Sequence, residues 1–475
     1  MNAEQIARFY SARDARTVQY GGSEQALQVT VNLIATATST TRPGQVALLA
    51  LANMVARTHR HITVQLTPAP LLAAPMIAAS SIEEALCRMV FAINPAALLI
   101  INGTRTDTKE IDLQNAAQVV SVSLGGGFGD DCDVRVGWSG GRAQLSSEAD
   151  VVSVGAGDAD VLGAATAACL AAGAVFHLSH GREVLSCVVN LAERASAIVG
   201  PRREVDSLTP FDGVGITSVS GPLDVGDVTI IGAGAVAHGF AWWAREFGHL
   251  GKWRTVDGDI ADVSNTNRCL GMSAADAGWP AGLPGAEPRA KADVLAAMIA
   301  AESVPTWFDE WSQTDPPRSD LTLILANERG VRADAASRGE PILLHATTSP
   351  SWTAELHRHL PDVDDCPACR IPHNASATFL CSTGPTEPGP ESGDAALPFL
   401  SAAAGLMLTT ALQQLSPTHP LLKGRHNHWR MCFERAVQLR GSVHPAHCPH
   451  TLPARARGII QADQPRQHDQ LDVTN

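Results

Sequence analysis

The chain has 475 residues and a formal net charge of −13. That length exceeds what one hydrophobic core usually organises, so two domains, each with a full core of its own, are expected. No Lys/Arg-rich run is present, and phosphate backbones are held by clustered cations, so the sequence predicts no nucleic-acid surface.

No stretch approaches the ~20 uninterrupted apolar residues of a membrane span, and Met1-Asn2-Ala3-Glu4-Gln5 lacks the basic-then-apolar layout of a signal segment. No membrane partner is therefore expected, and the cytoplasm is the expected location. The ten cysteines are too scattered for a disulfide framework, and only Cys366 and Cys369 form a close pair. Reduced thiols and one metal site are the consistent reading.

Along the first half, apolar strand-like runs alternate with helix-like ones, the pattern of parallel βαβ units. Residues 27–35 read as a strand, 45–59 as a helix, 61–66 as a strand, 82–93 as a helix and 97–101 as a strand. Where a phosphate-binding turn would follow the first strand, Thr36-Ala37-Thr38-Ser39-Thr40-Thr41 offers no glycine until Gly44, so a phosphate could not approach that backbone closely. Residues 119–124, 134–138 and 142–146 read as further strands. The clusters Gly125-Gly126-Gly127 and Gly140-Gly141 follow strands but open no helix, which points to hairpins. An Ala-rich helix over 162–175 closes this half.

A Pro/Gly-bearing stretch, 200–222, marks a boundary, after which the strand-helix alternation starts again. The fold expected is α/β with two Rossmann-like domains in tandem: 1–215 without a phosphate turn, 216–452 with one, and a polar, disordered tail over 453–475. Two halves of similar length, one lacking the glycine turn, suggest duplication followed by loss of function in the first.

In the second half, the short apolar strand 227–231 runs into Gly232-Ala233-Gly234-Ala235-Val236-Ala237, which opens a helix through residue 246. The first glycine permits the tight turn, the second lets backbone N–H groups reach phosphate oxygens, and the helix N-terminus favours their charge. A second strand ends at Asp257-Gly258-Asp259, the position of a ribose-binding acid. Up to this point an NAD-dependent oxidoreductase fits equally well.

Next come Val263-Ser264-Asn265-Thr266-Asn267-Arg268 and, after a Gly/Pro-rich loop, Glu287-Pro288-Arg289-Ala290-Lys291 opening a helix. In this order the set resembles the superfamily of ThiF, MoeB and the ubiquitin-activating enzymes, over residues 226–450. The resemblance implies an active ThiF-like adenylation domain that binds ATP and Mg²⁺. In it Gly232, Gly234, Asp257, Asp259, Asn265 and Asn267 would hold nucleotide and metal, while Arg268 and Lys291 spread the charge that builds when a carboxylate attacks the α-phosphate. There are departures: Cys269 stands for the usual glutamine, Ala237 for the third glycine, and Asn327 for the metal-binding aspartate, with Glu328 beside it as a substitute ligand. The family also brings an arginine from the partner domain's first helix to the γ-phosphate, and Arg13 is the position that matches.

Cys366-Pro367-Ala368-Cys369 has the spacing that lets two thiolates grip one Zn²⁺, the alternative being a redox pair. By the same resemblance a second ligand pair lies near the C-terminus, where Cys448 and His444 would complete a Cys₃His site. Cys381 falls where thioester-forming members carry their nucleophile, in the crossover loop, with Cys269 and Cys432 as lesser candidates. An inactive-plus-active pair in one chain with a crossover cysteine resembles the bacterial ubiquitin-activating-like enzymes of Bil-type antiphage operons, which implies a ubiquitin-like protein and a conjugating-enzyme-like protein as partners. Three alternatives stay open: a sulfur-carrier adenylyltransferase of the ThiF/MoeB kind, a nicotinamide-dependent oxidoreductase, and a scaffold whose nucleotide sites are both dead.

Overall fold

Strands buried on both faces need near-continuous apolar runs, and both halves of the chain supply them. The computed structural model describes residues 1–19, 24–74, 76–106, 118–125, 132–139, 141–147, 161–198, 222–280, 286–327, 329–339, 341–349, 351–360, 364–370, 397–415 and 426–444. The first half contains α1 (Ala3–Gln19), β1 (Thr30–Ala35), α2 (Arg42–Thr58), β2 (His61–Leu66), α3 (Ile82–Ile93), β3 (Leu98–Ile101), β4 (Thr104–Arg105), β5 (Val119–Leu124), β6 (Val134–Ser139), β7 (Arg142–Ser146), α4 (Val161–Ser179), β8 (Cys187–Asn190) and β9 (Ala195–Ile198). The helix starts follow from local chemistry. Thr41 caps α2 by accepting from Gly44 N at 3.2 Å, and Ser81 caps α3 by accepting from Glu84 N at 3.2 Å.

The second half contains β10 (Asp224–Ile231), α5 (Ala235–Glu246), β11 (Leu250–Val256), α6 (Lys291–Ile299), β12 (Glu302–Val304), α7 (Phe308–Gln313), β13 (Leu321–Ile324), α8 (Arg329–Ser337), β14 (Leu343–Ser349), β15 (Thr353–His359), α9 (Pro367–Arg370), α10 (Pro398–Gln414), β16 (His428–Phe433) and β17 (Val437–Ser442).

The strand order is β4-β3-β2-β1-β5-β6-β7-β8-β9 in one sheet and β12-β11-β10-β13-β14-β15-β16-β17 in the other. Apart from the small β4 edge, the two orders are the same. Each has a parallel core flanked by three antiparallel strands, β7–β9 in the first sheet and β15–β17 in the second. Both units are thus doubly wound α/β sheets with a Rossmann-like core. The hairpin expected at Gly125 is not there: β5 and β6 run parallel, with Val122 beside Val134, because both belong to the buried parallel core. The hairpin at Gly140-Gly141, joining β6 to β7, is present.

Nor do the halves keep separate cores. One continuous cluster of buried side chains runs from Val31 and Leu33 on β1 through Ala167 and Leu170 on α4 to Phe240 on α5, Leu406 on α10 and Phe433 on β16. Helices α5 and α10 approach closely at Gly239 and Gly405, where an added Cβ would sit 2.3 Å from Ser401 O and 2.2 Å from Phe240 N, respectively. Contrary to the sequence expectation, one helix, α4, is long and apolar enough to cross a membrane; it lies inside this core, with Leu170 and Val175 at most 1% exposed. The boundary stretch 199–221 and the tail 453–475 lie outside the described residues.

Two core histidines couple stability to pH. His59 contacts Thr58 Oγ1 and Ser179 Oγ, both at 2.9 Å, while His238 makes no side-chain hydrogen bond. Burial pushes each of them down to about 3. Because the folded values lie below the unfolded ~6.5, the unfolded chain takes up protons the native one refuses, and stability is lost as pH falls. Urea unfolding between about pH 6.5 and 4 should therefore lose on the order of 2 kcal/mol per pH unit from this pair, more steeply toward the lower end. A midpoint that is flat over that range would contradict this.

Candidate active site

The glycine turn is fixed by backbone crowding. Gly232 has φ +93°, and an added Cβ would lie 2.5 Å from Ala326 N, so only glycine is accommodated. Gly234 is different. Its φ is −83° and nothing lies within 4 Å of an added Cβ, so the fold itself does not demand a glycine there. It is the N-cap of α5 without a side-chain cap, leaving the first N–H groups of the helix directed at the cavity in front of them.

That cavity takes up about 1130 Å³, counting its open mouth, and is lined by Gly232, Gly234, Asp257, Asp259, Asn265, Arg268, Lys291 and Asn327 among others. Eight of the residues expected from the sequence therefore meet at one place, contributed by five separate stretches of chain. Asp257, at the end of β11, accepts from Ala233 N at 2.6 Å and from Asp259 N at 2.8 Å, so it shapes the turn it serves. Lys291, at the start of α6, donates to Asp259 Oδ2 at 2.6 Å.

The electrostatics follow from burial and this pairing. Burial raises the Asp257 carboxyl above its usual range, opposed by Lys291 and the two backbone N–H groups. Burial alone would lower Lys291, but Asp257 and Asp259 outweigh it and hold the ammonium above its ordinary value. A cation so held stays charged and can shift from carboxylate to phosphate.

The stretch after Asp259 is a single 3₁₀ turn, Val263–Asn265, closed by a capping box. Asp262 accepts from Ser264 N at 2.8 Å and Asn265 Oδ1 accepts from Asp262 N at 3.0 Å. Arg268 donates to Ser264 O at 2.6 Å and Asn267 Oδ1 at 2.9 Å. Asn267 itself does not line the cavity. It donates to Thr17 Oγ1 on α1 at 3.3 Å, joining the loop to the first half.

The stronger tie is Arg57 at the end of α2, which is 0% exposed. It donates to Asn53 Oδ1 at 2.7 Å and to the carbonyls of Thr266 at 2.6 Å, Met272 at 3.1 Å and Leu270, while Asn53 also donates to Leu270 O at 3.1 Å. Burial pushes the Arg57 guanidinium down to about 9. A residue of the first half thus braces the loop that presents Asn265 and Arg268 to the cavity.

Arg13 does not reach the site. It is 0% exposed and donates to Asp14 at 2.5 Å and Ala56 O at 3.1 Å, with its guanidinium 4.8 Å from the Tyr10 ring centroid. Its place on the face of α1 that also carries Phe9, Tyr10 and Thr17 explains this, because that face packs inward. Trp307, Phe308, Asp309, Asp334 and Thr348 line the cavity without having been expected. They come from segments with no motif, and only the exposed position of Trp307, at 46%, hints at a role. Glu328, Cys381 and Cys448 lie outside the described residues, as does the side chain of Cys369.

Of the remaining expected ligands, Cys366 is half-buried just before the one-turn helix α9, and His444 follows β17. Asp365 N donates to His444 O at 3.4 Å, so the structure brings these two segments side by side. Cys269 lines the cavity but is 2% exposed, and burial raises its thiol, as it does for Cys432, so neither is a ready nucleophile.

Two substitutions separate fold from site. Gly232→Ala should lower stability by about 2 kcal/mol or more through strain and clash, whereas Gly234→Val should leave the melting temperature unchanged and abolish nucleotide binding in a titration. Arg57→Met, which orphans buried carbonyls, should cost about 3 kcal/mol in chemical unfolding; a loss below 1 kcal/mol would show that the brace is dispensable.

No family model matches the sequence, and neither does any curated protein. Solved structures do. A crystal structure of E. coli MccB matches at 13% identity and TM-score 0.32, over 48% of this chain and 66% of that one. MccB from E. coli with ATP matches at 15% identity and TM-score 0.33, over 47% and 64%. The microcin C7 biosynthetic enzyme MccB in complex with N-formylated MccA matches at 14% and 0.33, over 47% and 66%. The chain thus spans just under two thirds of the length of these structures.

Proposed function

We propose that the second half, residues 216–452, uses Mg-ATP to adenylate the C-terminal carboxylate of a ubiquitin-like protein, and that the first half, 1–215, serves it as a scaffold. One observation carries this reading. The glycine turn, the Asp257/Asp259 pair, Asn265, Arg268 and Lys291 converge on a single cavity. A nicotinamide site needs the turn and the acid, but has no use for two cations facing them.

Phosphates seated on the N-terminus of α5 lie where backbone N–H groups and Lys291 meet them, and Asp257 or Asp259 accepts from the ribose hydroxyls. Attack of the substrate carboxylate on the α-phosphorus forms an acyl-phosphate bond and expels pyrophosphate. Arg268 and Lys291 offset the charge that develops. Asn327, Asp309 and Asp334 line the same cavity and offer the hard oxygen donors Mg²⁺ prefers, with Glu328 next in sequence to Asn327. The bound ion would neutralise part of the triphosphate charge.

The next step assigned is attack by the Cys381 thiolate on the acyl carbon, releasing AMP and leaving a thioester for a conjugating-enzyme-like partner. The raised thiols of Cys269 and Cys432 favour a nucleophile elsewhere. Zn²⁺ is assigned to Cys366, Cys369, Cys448 and His444, supported by the C-x-x-C spacing and the contact between the Asp365 and His444 backbones. Action in the cytoplasm within a Bil-type antiphage conjugation system is the biological setting proposed.

ATP–pyrophosphate exchange should depend on the modifier's C-terminal glycine and drop by at least 10²-fold in Asp257→Ala and Lys291→Ala. Undiminished exchange in Asp257→Ala would remove the nucleotide site as placed. Trapping then decides the later step. A thiol-cleavable enzyme–modifier adduct lost in Cys381→Ala supports conjugation, whereas full exchange without any adduct points to a sulfur-carrier adenylyltransferase.

A further inference from the structure

Strands β14, β15 and β16 place His345 opposite His357 and His357 opposite His428. The three imidazoles stack across the sheet, with ring centroids 3.8 Å and 4.1 Å apart. Glu355 lies two residues before His357 and therefore on the same face. Ala354 and Leu356, which alternate with them, belong to the main hydrophobic core, so the histidines occupy the opposite side of the sheet.

This group is poorly satisfied as it stands. His345 Nε2 is buried without a hydrogen bond, and His357 Nε2 has only a long contact with Glu355 Oε2 at 3.4 Å. Buried imidazole nitrogens left without partners are costly and call for an explanation. Glu355 Oε2 lies 3.4 Å from His357 Nε2 and 3.3 Å from His428 Nε2, and one donor atom from each of the three residues falls within 4.8 Å of the others.

We propose that Glu355, His357 and His428 form a binding site for a divalent first-row transition ion, zinc by the class of its ligands, separate from the cysteine site assigned above. Two imidazoles and one carboxylate are a recurrent zinc ligand set that leaves a fourth position open. Ligands about 2.0–2.1 Å from a tetrahedral ion stand about 3.3 Å apart, which is the spacing from Glu355 to both histidines. The His357 and His428 rings are stacked nearly parallel, 13° apart, so ligation requires both to turn about χ2, a soft torsion, until their Nε2 lone pairs meet at one point. His428 Nδ1 lies 3.0 Å from Ser442 Oγ, a second contact of the kind that orients ligating histidines.

One group competes with the ion. Arg370 Nη1 donates to His357 Nδ1 at 3.0 Å, which leaves the ring proton on Nε2, so Arg370 must turn aside for the metal to replace that proton.

Co²⁺ titration of the full chain followed by visible absorption tests the site. A Cys366→Ser/Cys369→Ser variant should still take up one equivalent, with d–d bands and no thiolate charge-transfer band. Glu355→Gln and His428→Gln in that background should each weaken Co²⁺ binding at least ten-fold, and Arg370→Gln should strengthen it. No uptake by the folded double-cysteine variant, or affinity unchanged within two-fold in folded Glu355→Gln, overturns the proposal. Should the cysteine variant not fold, the comparison moves to the cysteine-intact chain, which should bind two equivalents against one for Glu355→Gln; equal stoichiometry overturns it. The readout is metal uptake alone, so failure here leaves the adenylation reading standing.

Discussion

The arrangement depends on one buried cation. Arg57 sits between the halves with no carboxylate beside it among its hydrogen-bond partners, and gives its donors to Asn53 and to three carbonyls of the 266–272 loop. Carbonyl oxygens offer only partial charge in return for lost hydration, and the depressed guanidinium value reflects that deficit. A conformation built on such a contact is tolerated only because the neighbouring helices are already locked by close packing. The clamp thus fixes where the loop must lie, and removing it costs stability chiefly through the buried carbonyls left unpaired.

Packing supplies the rest of the order. Since α4 and α10 belong to the same hydrophobic cluster, moving one sheet relative to the other would open apolar surface to water. Two further tethers cross between the halves near the strand ends: Leu439 N donates to Ser196 Oγ at 2.8 Å, and Leu185 N to Arg435 O at 2.8 Å. The cavity therefore sits in a rigid frame, with its acids on strand ends and its cations on a loop and a helix start. Preorganisation of that kind is what charge stabilisation requires.

Much of this was legible in the sequence because the signals are local. A strand followed by Gly232-Ala233-Gly234 and a helix specifies its own conformation, and the parallel strands declare themselves as apolar runs. Eight expected residues meet in the cavity for that reason. The strands β14 to β16 are less visible, since one face carries His345, His357 and His428 instead of apolar side chains. Arg13 was misplaced although the signal existed: it shares a helical face with Phe9 and Thr17, and that face is buried. Trp307 and Asp309 reach the cavity by tertiary folding alone, which no spacing along the chain encodes.

The shared strand order of the two sheets has an implication for how such a chain specialises. In a symmetric pair of identical subunits every surface residue must serve in both directions at once, so a change that improves one side is imposed on the other. Two sheets of one strand order within a single polypeptide are free of that restriction. Arg57 braces the loop without its counterpart having to do the same, and Thr36 to Thr41 carry hydroxyl side chains while Gly232 and Gly234 stand in the other half.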